Sequence, residues 1–198
     1  MSTHPVPDDE RPARSRLHAV AMRGDDPGND PRPDVEREFR NAMARLAAGV
    51  GVLSTLDPIG RACGLTVTAV SSVSLEPPLV LVCVKKDGFI HDALFVADGW
   101  SITFLAADQL DAAHYFARHR YPGDRDDFSP WRTSRADSGE LILTGGMAAV
   151  TCVPHEMVDA GDHSVAIGRV VHIPEHMTGE TPLIHGDRAY FAPGTPLA

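Results

Sequence analysis

Three stretches of this chain carry residue types that can hold a ligand. The first runs Gly64-Leu65-Thr66-Val67-Thr68-Ala69-Val70-Ser71-Ser72-Val73-Ser74-Leu75-Glu76-Pro77-Pro78-Leu79-Val80. Small residues let a backbone approach a flat ring. N–H groups and hydroxyls can pair with acceptors along the ring's edge. The same run also reads as a β-strand with a Ser-rich turn. The second is Gly161-Asp162-His163-Ser164-Val165-Ala166-Ile167-Gly168-Arg169-Val170. A turn feeding a strand puts His163 at a rim, where an imidazole can bond an amide or a phosphate, or simply face solvent. The third is Lys85-Lys86-Asp87-Gly88-Phe89. Two ammonium groups and a Gly turn ahead of a helix start suit a phosphate, and equally a solvated turn.

Other chemistries find little support. His172 and His176 stand four apart, and His155 precedes Glu156. That spacing ligates a metal only on a helix, and Pro174 interrupts it, so no metal site is expected. Cys63, Cys83 and Cys152 form no C-x-x-C pair and no disulfide framework. There is no G-x-G-x-x-G after a strand, no G-x-x-x-x-G-K-[ST] loop and no G-x-S-x-G elbow. A nucleotide cofactor, if used, is held another way.

The elements that must position these stretches are mostly strands. Asp34 can cap a helix with Val35, Phe39, Ala42, Met43 and Leu46 on one apolar face, ended by Gly49 and Gly51. Val50 to Thr55 reads as a strand, residues 57–60 as a turn, and Cys63 to Ser74 as a further strand. Leu79 to Val84 is a continuous apolar run, as expected of a strand buried on both faces. A short helix over Phe89 to Ala97 precedes a strand over Ser101 to Leu105. Asp108 starts a helix through Ala117 with Leu110, Ala113 and Phe116 inward. Residues 118–140 are turn-rich, anchored by Phe128 and Trp131. Met147 to Val158 and His163 to Ile173 then form two long strands. Many strands with few helices predict a mainly β single domain, a barrel or sandwich.

The 198 residues suffice for one domain. A formal charge of −9 argues against a general nucleic-acid binder. Neither a signal peptide nor a membrane helix is expected, and a reducing cytoplasm is the simplest location. Residues 1–33, rich in Pro, Asp, Arg and Gly, read as a flexible N-terminal extension ahead of a domain over 34–198.

Taken together, the segments resemble the flavin reductase family of two-component flavin monooxygenases. The similarity runs from Phe39 to about Tyr190. It rests on Gly49-Val50-Gly51-Val52, the Gly64 to Val80 stretch and Ser101 to Gln109 with Phe116-Ala117. It continues through Leu143 to Ala148 with Cys152, Gly161-Asp162-His163 with Gly168 and Val170, and Pro182-Leu183 with Tyr190. The resemblance implies a split β-barrel that binds FAD or FMN, usually as a homodimer. It implies NADH as co-substrate, NADPH being possible too, and reduced flavin passed to a partner monooxygenase. It assigns Thr66, Val67, Thr68, Ala69, Ser71 and Ser72 to the flavin ring and ribityl chain. Lys85, Lys86 and the turn through Phe89 to His91 fall on the phosphate side, and Cys83 is a further cofactor-binding residue. His163 falls on the nicotinamide side as the catalytic candidate, with Phe116 and Tyr190 as further candidates. The chain departs from the family at Asp87-Gly88-Phe89 and at Thr68-Ala69, which leaves FAD and FMN both open. A flavin-holding electron-transfer module and a split-barrel oxidase are the alternatives. The Gly-Asp-His box speaks against both.

Overall fold

Strand-forming sequence dominates beyond residue 47, and the fold follows it. The structure is a computed structural model that describes residues 34–118, 128–175 and 177–194. Helix α1 (Val35–Ala44) comes first, then strands β1 (Ala48–Gly49), β2 (Gly51–Leu56), β3 (Ala62–Val67), β4 (Val70–Leu75) and β5 (Pro78–Lys85). Helix α2 (Phe89–Val96), β6 (Trp100–Phe104), a 3-10 turn (Ala107–Gln109) and α3 (Leu110–Phe116) follow. The chain ends with β7 (Thr133–Arg135), β8 (Leu141–Leu143), β9 (Ala148–Ala160), β10 (His163–His172), β11 (Ile184–Gly186) and β12 (Ala189–Phe191).

Seven strands form one antiparallel sheet in the order β3-β2-β6-β9-β10-β5-β4. Its two edges, β3 and β4, are consecutive in the chain and separated only by Thr68 and Ala69. A flat seven-stranded sheet would hold its edges far apart. The two-residue link therefore requires the sheet to curl until its edges meet. β3 and β4 do not pair with each other, so the barrel is split along that seam. The Cys83 N–H donates to the Ala69 carbonyl and ties the seam to β5.

Two apolar clusters fill the interior. In one, α2 inserts Ile90, Ala93 and Leu94 against Leu53, Val82, Val84, Trp100 and Ile102. In the other, α3 and β8 pack Phe116, Leu141 and Leu143 against Val50, Val52 and Phe128. Leu53 and Val52 lie in different clusters, so β2 is buried on both faces. The strand expected to be so buried, β5, instead alternates buried and half-open residues. The continuous apolar run there serves a second, partly open face.

Other expectations shift. Helix α1 stops at Ala44, and Gly49 sits in β1 rather than ending the helix. Its apolar face is not buried: Phe39 is 63% and Leu46 61% exposed. Asp34 bonds the Arg37 side chain in place of a helix N–H. Cys63 to Ser74 is two strands broken at Thr68-Ala69. Leu110 is partly exposed, while Ala113 and Phe116 are buried. Strands β1, β7, β8, β11 and β12 are too short to carry a periodic signal. Residues 1–33 and His176 lie outside the described residues.

Candidate functional site

The site is built on the pairing of β5 with β10. His163 stands opposite Lys85, Val165 opposite Cys83, and Ile167 opposite Leu81. Opposed residues share a face, and alternate residues share it along each strand. Lys85, Cys83, Leu81, His163, Val165 and Ile167 therefore line one half-open face. Their neighbours Val82, Val84, Ser164 and Ala166 point into the core. On β4, Ser71 stands opposite Leu81 and extends the face, while Ser72, one residue on, stands opposite Val80. Ser71 and Ser72 are exposed, as are Thr68 and Ala69 at the seam.

Charge gathers at one end of this face. The Lys86 N–H donates to the Asp162 carbonyl, which joins the β5–α2 turn to the β9–β10 turn. The Lys86 ammonium meets Asp159 at 2.6 Å and the Gly161 carbonyl at 2.7 Å. The Lys85 ammonium meets Asp87 at 2.6 Å, and these contacts raise its pKa. His163 Nδ1 lies 2.8 Å from Asp162 Oδ1. A carboxylate only accepts, so Nδ1 carries the proton and Nε2 is left as an acceptor. The bond from His163 holds the Asp162 carboxyl below the usual aspartate range, with Lys85 adding to it. Asp162 belongs to the Gly-Asp-His box, and its contact with His163 is between chain neighbours. The contacts of Asp159 with Lys86 and of Ser164 with His91 follow from the register of β9, β10 and β5, which no local pattern encodes.

Several expected contacts resolve differently. His91 is 9% exposed on the first turn of α2, with Nε2 3.0 Å from Ser164 Oγ. It faces the protein rather than the half-open face. Phe89 packs partly against the core beside it. The Val67 side chain is buried in the core, so only its backbone can meet a ligand. The Thr66 hydroxyl donates to the Ala113 carbonyl at 2.8 Å, which ties β3 to α3. Phe116 is 3% exposed and packs against Phe128 and Trp131, so it is a core aromatic. A Cβ at Gly64 would lie 2.7 Å from the Phe116 ring. Gly64 is small for that ring, not for a ligand. Tyr190 is half-buried between the His114 and His185 rings, at 5.0 and 5.1 Å.

The donor set fits a flavin nucleotide with a nicotinamide beside it. Leu81, Cys83, Val165 and Ile167 offer a flat apolar surface. Lys85, Lys86 and the start of α2 offer positive charge at one end. The carboxylates of Asp87 and Asp159 on the two lysines reduce that charge. Among the described residues no group of three His, Cys, Asp or Glu side chains is placed to hold a metal ion. No described helix is long and apolar enough to cross a membrane. Four clefts, one of about 720 Å³ at Trp131, Arg132 and Thr178, share no residue with the half-open β5–β10 face.

Residues 43–194 match the family model described as flavin reductase like domain. The reductase component of an FADH(2)-dependent resorcinol hydroxylase from Rhizobium sp. is 35% identical over 161 residues, covering 80% of this chain and 87% of that protein. The stachydrine N-demethylase reductase subunit of Rhizobium meliloti is 34% identical over 157 residues, covering 79% of this chain; the chain spans 66% of that protein's length. A solved structure of a Streptomyces globisporus NADH:FAD oxidoreductase, in complex with NAD and FAD fragments, superposes with a TM-score of 0.74 at 27% identity. The match covers 85% of this chain and 99% of that one.

Proposed function

Because the chain belongs to the flavin reductase-like family, we propose that it moves hydride from NADH to FAD or FMN and releases the reduced flavin to a separate monooxygenase. The observation that carries this reading is the half-open β5–β10 face, apolar along its length and bounded by Lys85, Lys86 and His163 at one end. Relatives that are reductase components of hydroxylases support the hand-over to a partner. NADPH remains compatible with the same face.

When bound, the flavin and the nicotinamide supply the hydride chemistry itself. The protein's work is placement. Leu81, Cys83, Val165 and Ile167 exclude water from one side of the ring. The backbone at Thr66, Val67, Thr68 and Ala69, with Ser71 and Ser72, offers polar partners for its edge. His163 Nε2 would accept an N–H from a nicotinamide carboxamide, its ring held by Asp162. Lys85 and Lys86 offset phosphate charge, and Tyr190 closes the side toward α3. Such alignment removes about 7–11 kcal/mol of barrier in favourable cases.

The exposed apolar face of α1 supports a homodimer. Residues 34–198 form the reductase domain, with 1–33 as an extension. Cys63, Cys83 and Cys152 form no disulfide with one another, which suits the reducing cytoplasm, where NADH is available.

The test follows NADH oxidation at 340 nm with and without added FAD or FMN. Oxidation that requires added flavin is the expected result. A protein that holds flavin tightly and oxidises no NADH would return the reading to an electron-transfer module. His163→Ala should raise the KM for NADH more than the Kd for flavin, and equal loss of both would overturn its assignment.

A further inference from the structure

We propose that His91 is a positioning residue for the nicotinamide side of the site, acting through Ser164 on the strand that carries His163. The proposal rests on the reading of His163 given above.

His91 is 9% and Ser164 3% exposed, and their polar atoms meet at 3.0 Å. On the other side of the ring, Nδ1 lies 3.3 Å from the Asp92 carboxylate. That carboxylate assigns the proton to Nδ1. Nε2 is then the acceptor, and the Ser164 hydroxyl donates to it. The Phe95 ring meets the imidazole edge-on at 4.9 Å. Ile90, Ala93 and Leu94 anchor the same helix in the core, so the imidazole has a fixed seat.

Ser164 and His163 are consecutive on β10 and point to opposite faces. Ser164 turns inward to His91, and His163 outward to the half-open face. His163 is the first residue of the strand, next to the turn at Gly161 with φ +66. The backbone of His163 pairs with Lys85 on one side and Ala160 on the other, which fixes its place in the sheet but leaves the tilt of its side chain to the pleat. The buried bond from Ser164 to α2 holds that pleat one residue inside the strand, and so sets the direction in which His163 emerges. Without the bond a buried hydroxyl is left unsatisfied, which favours rotation of the strand end.

The experiment measures the KM for NADH, the Kd for FAD by fluorescence, and the melting temperature. The variants are Ser164→Ala, His91→Leu, their double, His91→Gln and His163→Ala. Ser164→Ala and His91→Leu should each raise the KM for NADH by about three- to tenfold, the range of one net hydrogen bond, with flavin affinity changed less than about twofold. The double variant should add nothing further, because the two residues share one bond. His91→Gln, whose amide reaches the place of Nε2, should recover most of the loss. Single effects that multiply in the double would overturn the proposal, as would an unchanged KM in Ser164→Ala while His163→Ala raises it. A parallel loss of flavin affinity would do the same. If His163→Ala leaves the KM unchanged, the reading of His163 fails and this proposal fails with it. Should His91→Leu not fold, Ser164→Ala and His91→Gln decide the matter alone.

Discussion

Gly168 has no side chain because Trp100 fills the space one would need. A Cβ there would sit 2.3 Å from the Trp100 ring and 2.8 Å from the Cys152 Cβ. Trp100 is 1% exposed and cannot retreat. Gly168→Ala should therefore cost about 1–3 kcal/mol, the usual cost of overpacking, or more, read by urea unfolding. Cysteines divide by environment in the same way. Burial, with the Glu140 carboxyl nearby, pushes the Cys152 thiol up to about 12, so it is not a nucleophile at neutral pH. Cys83 lies half-open on the candidate face. Iodoacetamide should label Cys83 in the native protein, spare Cys63 and Cys152, and label less when FAD is present. At Asp162 the sign of the acid response can be worked out. Its carboxyl is held below the ordinary value of 3.8 by the bond from His163. The contact is complete above that ordinary value and is lost as pH falls through the lowered one. The ring chemical shifts of His163 should respond as pH falls through that lowered range in the native protein, and Asp162→Asn should remove that response.

At the scale of elements, the β2–β3 turn is held by one side chain. The Asp57 carboxylate accepts from the Ile59 and Arg61 N–H groups and from the Arg61 guanidinium, at 2.8–3.0 Å. Burial pushes this carboxyl up, but the bonds from Arg61 and Ile59 outweigh it and the net shift is downward. Asp57→Ala should lower stability by about 1–2 kcal/mol at neutral pH. The difference from the native protein should shrink as pH falls below the carboxylate range, because the native contact is then lost too. Such a turn was legible from Asp57-Pro58-Ile59-Gly60, whose residue types specify it locally. So were α2, the strand at 101–104 and the β9–β10 hairpin, each encoded by contiguous sequence. The seam at Thr68-Ala69 was not, because nothing in an unbroken Thr, Val and Ser run announces a break. Nor was the inward turn of His91. Its seat is made by Ser164, a residue brought near only by the β5–β10 pairing. The rim of the site was legible as residue types, whereas the partners that orient those residues depend on register.

At the scale of the whole molecule, the apolar side of α1 is uncovered among the described residues. Helix α1 is tied to the C-terminal hairpin through the Asp187 N–H to the Ala44 carbonyl and Arg188 to Asn41. It is thereby held in place while Phe39, Met43 and Leu46 remain exposed on one side. A held helix with an open apolar stripe suits association with a second copy. Phe39→Asp with Leu46→Asp should convert a dimer into a monomer in sedimentation velocity, and an unchanged sedimentation coefficient would exclude α1 from the interface.

The strand order also governs how the molecule assembles. β9 and β10 are joined by a tight turn and can pair as soon as they are made. The pairing of Lys85 with His163 must instead close a loop of about 80 residues, a large entropic cost before any contact repays it. The candidate face should therefore be among the last parts to gain protection during refolding. Pulse-labelled amide exchange should show the β9–β10 pairs protected first, with the β5–β10 pairs following. Flavin added early should not speed the first step, because its seat does not yet exist.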